Sequence, residues 1–111
     1  MALRRKPNPT FRYTVSLAAP GEGDPHVYTF IGRHKKQREL EEIARSGKEY
    51  DGREAAYLMQ VLDGWDLQDA AGKDLPFTLE ALDELLNDYP GSWLVIFRAY
   101  AEQLSASRAK N

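Results

Sequence analysis

Hydrophobic and polar positions alternate in the first third of the chain, as they do in β-strands. Residues 11–17 place Phe, Tyr, Val and Leu at every second position, which is the period of a half-buried strand. A proline- and glycine-rich segment, APGEGDP at 19–25, predicts a loop, and the apolar run at 27–31 predicts a second strand. Together they predict an antiparallel hairpin with a long connection. Other elements must cover its apolar face, because an isolated hairpin is only marginally stable.

After Gly32 the apolar residues recur with the helical period. A first helix is predicted over 35–45 and a second over 52–62. Gly64 ends the second periodic run and leaves Trp65 to anchor the exit of the chain. The stripes that predict these helices are Leu40, Ile43 and Ala44 in the first and Ala55, Leu58, Met59 and Leu62 in the second.

The segment 76–91 carries signals for the start and the end of a third helix. Thr78 can cap the free backbone N–H groups of the first turn, and Phe77 can pack on Leu82 as a hydrophobic staple. A Tyr-Pro-Gly sequence ends the helix, and its Pro90 can open the next one because the first helical position does not need an N–H.

The last predicted helix, over 91–105, has apolar side chains on nearly every side of its first turns. Such a helix is either deeply buried or part of an interface. Trp93, Phe97 and Tyr100 are therefore the candidate partner-binding residues, since binding hot spots are enriched in Trp and Tyr. The alternative is that at least two of these three side chains belong to the core.

These patterns predict an α+β fold, in which an N-terminal antiparallel β-hairpin packs against three to four C-terminal helices. A chain of 111 residues suits one domain, which we place at 11–106, between a flexible basic N-terminus at 1–10 and a polar tail at 107–111. The residues expected to be buried include Phe77, Leu82, Leu85, Ile96 and Tyr100.

Composition narrows the class of protein. Without cysteine the chain has no disulfide framework and no thiolate zinc site. No signal-peptide pattern and no apolar run of roughly 18–20 residues is present, so we expect a soluble, cytoplasmic protein. Residues 1–38 carry a formal charge of +6 and residues 39–90 a charge of −10. This asymmetry bears on which partners the protein binds rather than on its fold. Folding often brings such oppositely charged segments together in space.

The sequence favours no catalytic, cofactor or metal site. Asp69 and Glu80 have the spacing of the first and last ligands of a calcium loop, but Ala71, Lys73 and Asp74 occupy positions that need two ligands and a glycine. The two histidines lack a companion ligand at metal-binding spacing. The adjacent carboxylates are typical of solvated helix faces. We therefore expect neither an enzyme nor a cofactor-binding protein.

A basic cluster, GRHKKQR at 32–38, suggests contacts with nucleic acid phosphates. Tyr13, Tyr28 and Phe30 on the hairpin are candidates for stacking on bases. The net charge of −2 opposes this interpretation, because nucleic-acid-binding domains usually have a basic balance. We therefore expect no nucleic acid partner, and expect the three aromatic residues on the buried face of the hairpin.

The C-terminal half resembles phage tail assembly chaperones of tailed phages and prophages. The resemblance lies in GWDLQDAAGKDLPFTLEALDELLNDYPGSWLVIFRAYAEQL and the closing RAKN. In this order they give a Gly-Trp-Asp, a polar turn, a Leu-Pro-Phe-Thr helix entry, a Tyr-Pro-Gly break and an Ala-Tyr-containing final helix. The match covers residues 60–111, and residues 11–50 agree in type. Trp93 and Phe97 stand where the family pattern leads us to expect smaller residues.

The resemblance implies a non-enzymatic protein that acts during tail morphogenesis and is absent from the finished particle. Its expected client is the tape measure protein, which it would keep soluble until tail tube subunits polymerise around it. The tail tube protein and a second copy of the chain are further candidate partners. Two alternatives stay open: a structural tail or head-completion protein retained in the particle, and a small DNA-associated regulator.

Overall fold

A computed structural model shows a three-stranded antiparallel sheet and four α-helices in the part of the chain that it describes, which confirms the predicted α+β fold. The structure describes residues 8–50 and 52–109, so most of the predicted flexible N-terminus and the end of the predicted tail lie outside the described residues. The elements in chain order are β1 (Thr10–Leu17), β2 (His26–Arg33), α1 (Gln37–Arg45), a 3-10 helix (Gly47–Tyr50), α2 (Glu54–Leu58), β3 (Leu62–Trp65), α3 (Leu79–Asp88) and α4 (Ser92–Ala109).

The predicted hairpin forms the first two strands of the sheet, whose order is β1-β2-β3. The side chains of β1 alternate between the two faces, so that Tyr13, Val15 and Leu17 are buried while the polar residues between them are exposed. Phe30 on β2 is fully buried beside them. The sheet therefore buries one face, as the period-two pattern predicts.

The predicted second helix is wrong in its second half, because residues 52–62 divide between a short helix and a strand. α2 ends at Leu58, and β3 begins at Leu62. The Val61 N–H donates to the Leu58 carbonyl over 3.0 Å in a turn, and the Arg33 N–H on β2 donates to the Val61 carbonyl over 2.7 Å. Pairing with the sheet thus overrides an apolar spacing that also fits a helix.

The start of α3 has the predicted cap, whereas the start of α4 differs from the prediction. The Thr78 hydroxyl accepts a hydrogen bond from the Ala81 N–H over 3.1 Å. Pro90 does not open α4, because Gly91 follows it with a φ of +83° and the helix begins at Ser92. Gly91 supplies the left-handed conformation that this turn requires.

Four of the five residues predicted to be buried lie in the core: Leu82 and Leu85 from α3 and Ile96 and Tyr100 from α4. The exception is Phe77, which is half-buried. Its ring meets the Trp65 indole edge-to-face with the ring centroids 5.0 Å apart. Phe77 precedes the helix cap at the margin of the core, where one side of the ring stays in contact with solvent.

Two tyrosine hydroxyls join α4 to the sheet. Tyr13 on β1 donates a hydrogen bond to the Ile96 carbonyl over 3.1 Å, and Tyr100 on α4 donates to the Arg33 carbonyl on β2 over 2.6 Å. The Tyr100 ring also stacks on Phe11, with the centroids 5.5 Å apart. These contacts fix which face of α4 points into the core, and so which face remains outside.

Candidate partner-binding groove

An open groove lies between α4 and the segment that runs from the end of α1 to α2. Its volume is about 470 Å³, which is within the range typical of binding pockets. Apolar and aromatic side chains form most of its surface. The lining residues are Ala44, Gly47, Tyr50, Glu54, Tyr57, Trp93, Leu94 and Phe97.

Four aromatic rings form the wall of this groove, with Tyr57 of α2 at the centre. The Tyr57 ring lies 5.3 Å from Phe97, 5.6 Å from Tyr50 and 6.3 Å from Trp93, measured between centroids. The contacts with Tyr50 and Trp93 are edge-to-face, a geometry that aromatic pairs favour. We call these four side chains the aromatic wall.

The local sequence explains why α4 contributes two of these rings. Trp93 and Phe97 are four positions apart in the sequence, so they lie one above the other on the same side of the helix. Ser92, Ile96 and Tyr100 lie on the neighbouring side, which is fully or almost fully buried. α4 therefore presents one side to the core and an adjacent aromatic side to α2.

The groove is accessible because its rings are only half-buried. At its edge on α4, Leu94 is 43% exposed. Partial burial raises the pKa of Tyr57 above its ordinary value. The aromatic wall thus offers a continuous, largely apolar surface to a partner.

The structure brings together two of the three residues predicted from the sequence to bind a partner. Trp93 and Phe97 both line the groove. Tyr100 is fully buried, and its ring lies behind Phe97 at a centroid distance of 6.0 Å. Tyr100 therefore supports the groove from beneath and does not line it.

Sequence reasoning did not identify the opposite side of the groove. Tyr57 is visible in the sequence as an aromatic residue beside the apolar stripe of α2, but Tyr50 and Glu54 carry no local signal. Tyr57 contacts Trp93 and Phe97 of α4, and Tyr50 and Glu54 line the same groove, an arrangement that depends on the tertiary fold.

Among the described residues that line the groove, Glu54 alone has a charged side chain. It is the first residue of α2 and is half-buried. Within the described part of the chain it makes no ion pair and no hydrogen bond through its carboxylate. The neighbouring Arg53 is engaged elsewhere, because its guanidinium lies 5.5 Å from the centre of the Tyr50 ring and donates to the Glu49 carbonyl.

A second, more polar cavity of about 340 Å³ lies beside α1. Lys35 forms an ion pair with Glu39 there over 3.8 Å, and the Lys36 N–H that donates to Glu39 helps to hold the pKa of this carboxyl below its usual value. The Gln60 side-chain nitrogen is buried without a hydrogen-bond partner among the described residues. Since Glu39 is exposed to solvent, this cavity resembles an ordinary hydrated surface cleft.

The Asp69 loop, considered above as a calcium loop, uses its carboxylate to hold the backbone. One Asp69 carboxylate oxygen accepts hydrogen bonds from the Ala71 N–H over 2.8 Å and from the Lys73 N–H over 3.0 Å. The Trp65 indole N–H donates to the Leu75 carbonyl over 2.8 Å and anchors the end of the loop. No group of three or more metal-ligating side chains occurs in residues 8–50 and 52–109.

Two of the three hairpin aromatics are covered by the core and cannot stack on nucleic acid bases, and the third has a partner in the fold. Tyr13 and Phe30 are buried, and Tyr28 is half-buried with its hydroxyl 3.1 Å from that of Tyr89. At the basic end of the hairpin, Arg33 forms an ion pair with Asp63 over 3.4 Å. These contacts give the aromatic residues structural roles.

Comparison with known proteins identifies the family. A family described as phage tail assembly chaperone matches the chain over residues 1–111. No curated protein and no solved structure gives a significant match. None of the helices in the described part of the chain has the length and hydropathy needed to cross a membrane. The match spans every residue, so the chain belongs to the phage tail assembly chaperone family.

Proposed function

We propose that this chain is a non-enzymatic chaperone that binds a helical segment of the tape measure protein in the groove beside α4. In the cytoplasm of the bacterial host it keeps this client soluble until tail tube subunits polymerise around it. A direct contact with the tail tube protein during the exchange fits the same role. The family match supports a function in tail assembly, and the groove supports the choice of the binding surface.

The observation that carries the proposal is the aromatic wall on a small protein. In this folded chain of 111 residues, Trp93, Phe97 and Tyr57 stay half-buried around an open groove. Leu94 extends this apolar surface on α4. Contiguous apolar surface of this kind is typical of a protein interaction site.

A helix is the occupant that fits this surface best. A long helix with an apolar stripe aggregates unless a partner covers the stripe, and an amphipathic helix in an apolar groove is a common solution. Such a helix presents apolar side chains at every third or fourth position. Trp93, Leu94 and Phe97 are spaced in the same way on α4, so two helices can pack side by side here.

Co-expression with the tape measure protein tests this proposal. We expect the client to be insoluble alone and soluble with the chaperone, and the two proteins to elute together in gel filtration. An equal soluble yield with and without the chaperone, and no complex, would contradict the proposal. Mass spectrometry of purified particles separates a chaperone from a structural protein, because a retained component would be found there.

A matched pair of leucines tests the location of the site. Leu94 and Leu79 both lie in the first turn of a helix, and each is 43% exposed, but only Leu94 lines the groove. We expect Leu94→Ser to reduce the yield of the complex several-fold and Leu79→Ser to leave it unchanged. Both variants should keep the melting temperature within a few degrees, because exposed side chains contribute little to stability. Equal effects of the two substitutions would place the site elsewhere.

A further inference from the structure

The position of Glu54 gives information about the partner as well as about the groove. Its carboxylate lies at the edge of an apolar and aromatic surface, half-buried and without an ionic partner among the described residues. While the groove is empty, water solvates this charge. A purely apolar occupant would remove that water and leave an unpaired charge, which is unfavourable.

The helix dipole gives only a weak explanation for a carboxylate at this position. A carboxylate at the first position of a helix interacts favourably with the helix dipole, but α2 has only five residues and so a small dipole. Arg53 does not neutralise Glu54, because its guanidinium is held by the Tyr50 ring and the Glu49 carbonyl. Among the described residues, no group therefore neutralises the charge of Glu54.

The aromatic wall adds a second feature that favours a cation. Lys and Arg side chains are attracted to the faces of Trp and Tyr rings within about 6 Å, and Arg53 already makes this contact with Tyr50 at the edge of the groove. A long basic side chain can lay its aliphatic part along the rings and bring its charged end to a carboxylate. Tyr57 and Trp93 both line the groove together with Glu54, and their ring centroids lie 6.3 Å apart.

Building on the proposed function, we infer that the groove selects a helix that carries a Lys or Arg beside its apolar stripe, with Glu54 as the counter-charge. The apolar residues of such a helix cover Leu94 and Phe97. Its basic residue reaches Glu54 across Tyr57. Glu54 is then a specificity-determining residue. Among client segments of equal hydrophobicity, the groove binds those with a basic residue beside the stripe more tightly than those with a neutral or acidic one.

The test uses the full chain and three synthetic helical peptides with one apolar stripe of leucines. The peptides differ at a single position beside the stripe, which is Lys, Gln or Glu. Calorimetric titration with the wild-type protein should show that affinity decreases from the Lys peptide to the Gln peptide to the Glu peptide. We expect the Lys peptide to bind about tenfold more tightly than the Glu peptide, a difference of about 1.4 kcal/mol in binding free energy. Added salt should reduce this difference, because it screens partly exposed charges.

Variants of the chaperone assign the preference to one residue. We expect Glu54→Gln to abolish the preference for Lys and Glu54→Lys to reverse it. Glu84→Gln on the exposed side of α3 removes the same charge away from the groove and should keep the wild-type order. Melting temperatures of all variants control for a structural role at the start of α2.

Three outcomes would overturn the inference. The first is equal affinity for the three peptides, or no binding of any of them. The second is a preference that survives in Glu54→Gln. The third is a wild-type dimer that Leu94→Ser dissociates, which would make the groove a self-association surface. If the tape measure protein still forms a complex with the chaperone in either of the first two cases, the proposed function stands and only the charge selection fails.

Discussion

At the scale of single residues, the tyrosine hydroxyls between α4 and the sheet should set stability at high pH. Burial raises the pKa of Tyr100 to about 12 and raises the pKa of Tyr13 well above its ordinary value. The pKa of an unfolded tyrosine is about 10. Because the folded pKa is the higher one, the stabilisation is complete below pH 10 and is lost as the pH rises from about 10 towards 12.

We therefore expect the free energy of unfolding to be nearly constant from about pH 7 to 9 and to fall above about pH 10. Denaturant titrations at a series of pH values measure it. Tyr100→Phe should be less stable at neutral pH, since the hydrogen bond to the Arg33 carbonyl is lost, and should show a shallower alkaline decline. Tyr50→Phe is the control, because the Tyr50 hydroxyl makes no hydrogen bond with the described residues. If the stability of Tyr100→Phe falls above about pH 10 as steeply as that of the wild type, this assignment is wrong.

At the scale of elements, the sequence predicts those whose local signals agree with their tertiary contacts. β1, β2 and α3 follow from their periodicity, and the α3 cap follows from Thr78. The segment after Leu58 could not be predicted in this way. Its apolar spacing fits both a helix and a strand, and the choice depends on pairing with β2, which lies far away in sequence.

α3 is held in place mainly by the leucines of its inner side, and Leu82 is fully buried among them. We expect Leu82→Ala to reduce the free energy of unfolding by about 2–5 kcal/mol, because it removes buried methyl groups and leaves a cavity. Leu79→Ala on the same helix removes an equal volume from a side chain that is 43% exposed and should cost far less. Denaturant midpoints measure both changes. An unchanged midpoint for Leu82→Ala would show that α3 does not pack as described.

At the scale of the whole molecule, the groove is a property of the assembled fold. The sequence indicates that α4 has more apolar surface than one small core needs, and so identifies Trp93 and Phe97. It does not separate these residues from Tyr100, because all three are aromatic and lie on adjoining sides of one helix. Only the position of the sheet, whose Arg33 carbonyl accepts the Tyr100 hydroxyl, decides which ring is covered.

One side of α4 faces the core and an adjacent side lines the groove. We therefore expect substitutions on the two sides to change stability and binding affinity independently. Trp93 is half-buried and lines the groove, whereas Ile96 is fully buried on the core side. We expect Trp93→Ala to weaken the complex with the tape measure protein by at least 2 kcal/mol, as hot-spot residues do. Its cost to stability should fall short of the roughly 3–5 kcal/mol that a fully buried Trp loses.

Ile96→Ala is the mirror experiment, because it should cost about 2–5 kcal/mol of stability while its folded molecules bind the client with nearly unchanged affinity. Melting temperatures and titrations of the purified, folded variants with a soluble client fragment measure the two quantities independently. If affinity falls in proportion to stability in both variants, the side of α4 that carries Trp93 is part of the core alone. If only Trp93→Ala loses affinity, the surface that the fold leaves uncovered is the surface that holds the client.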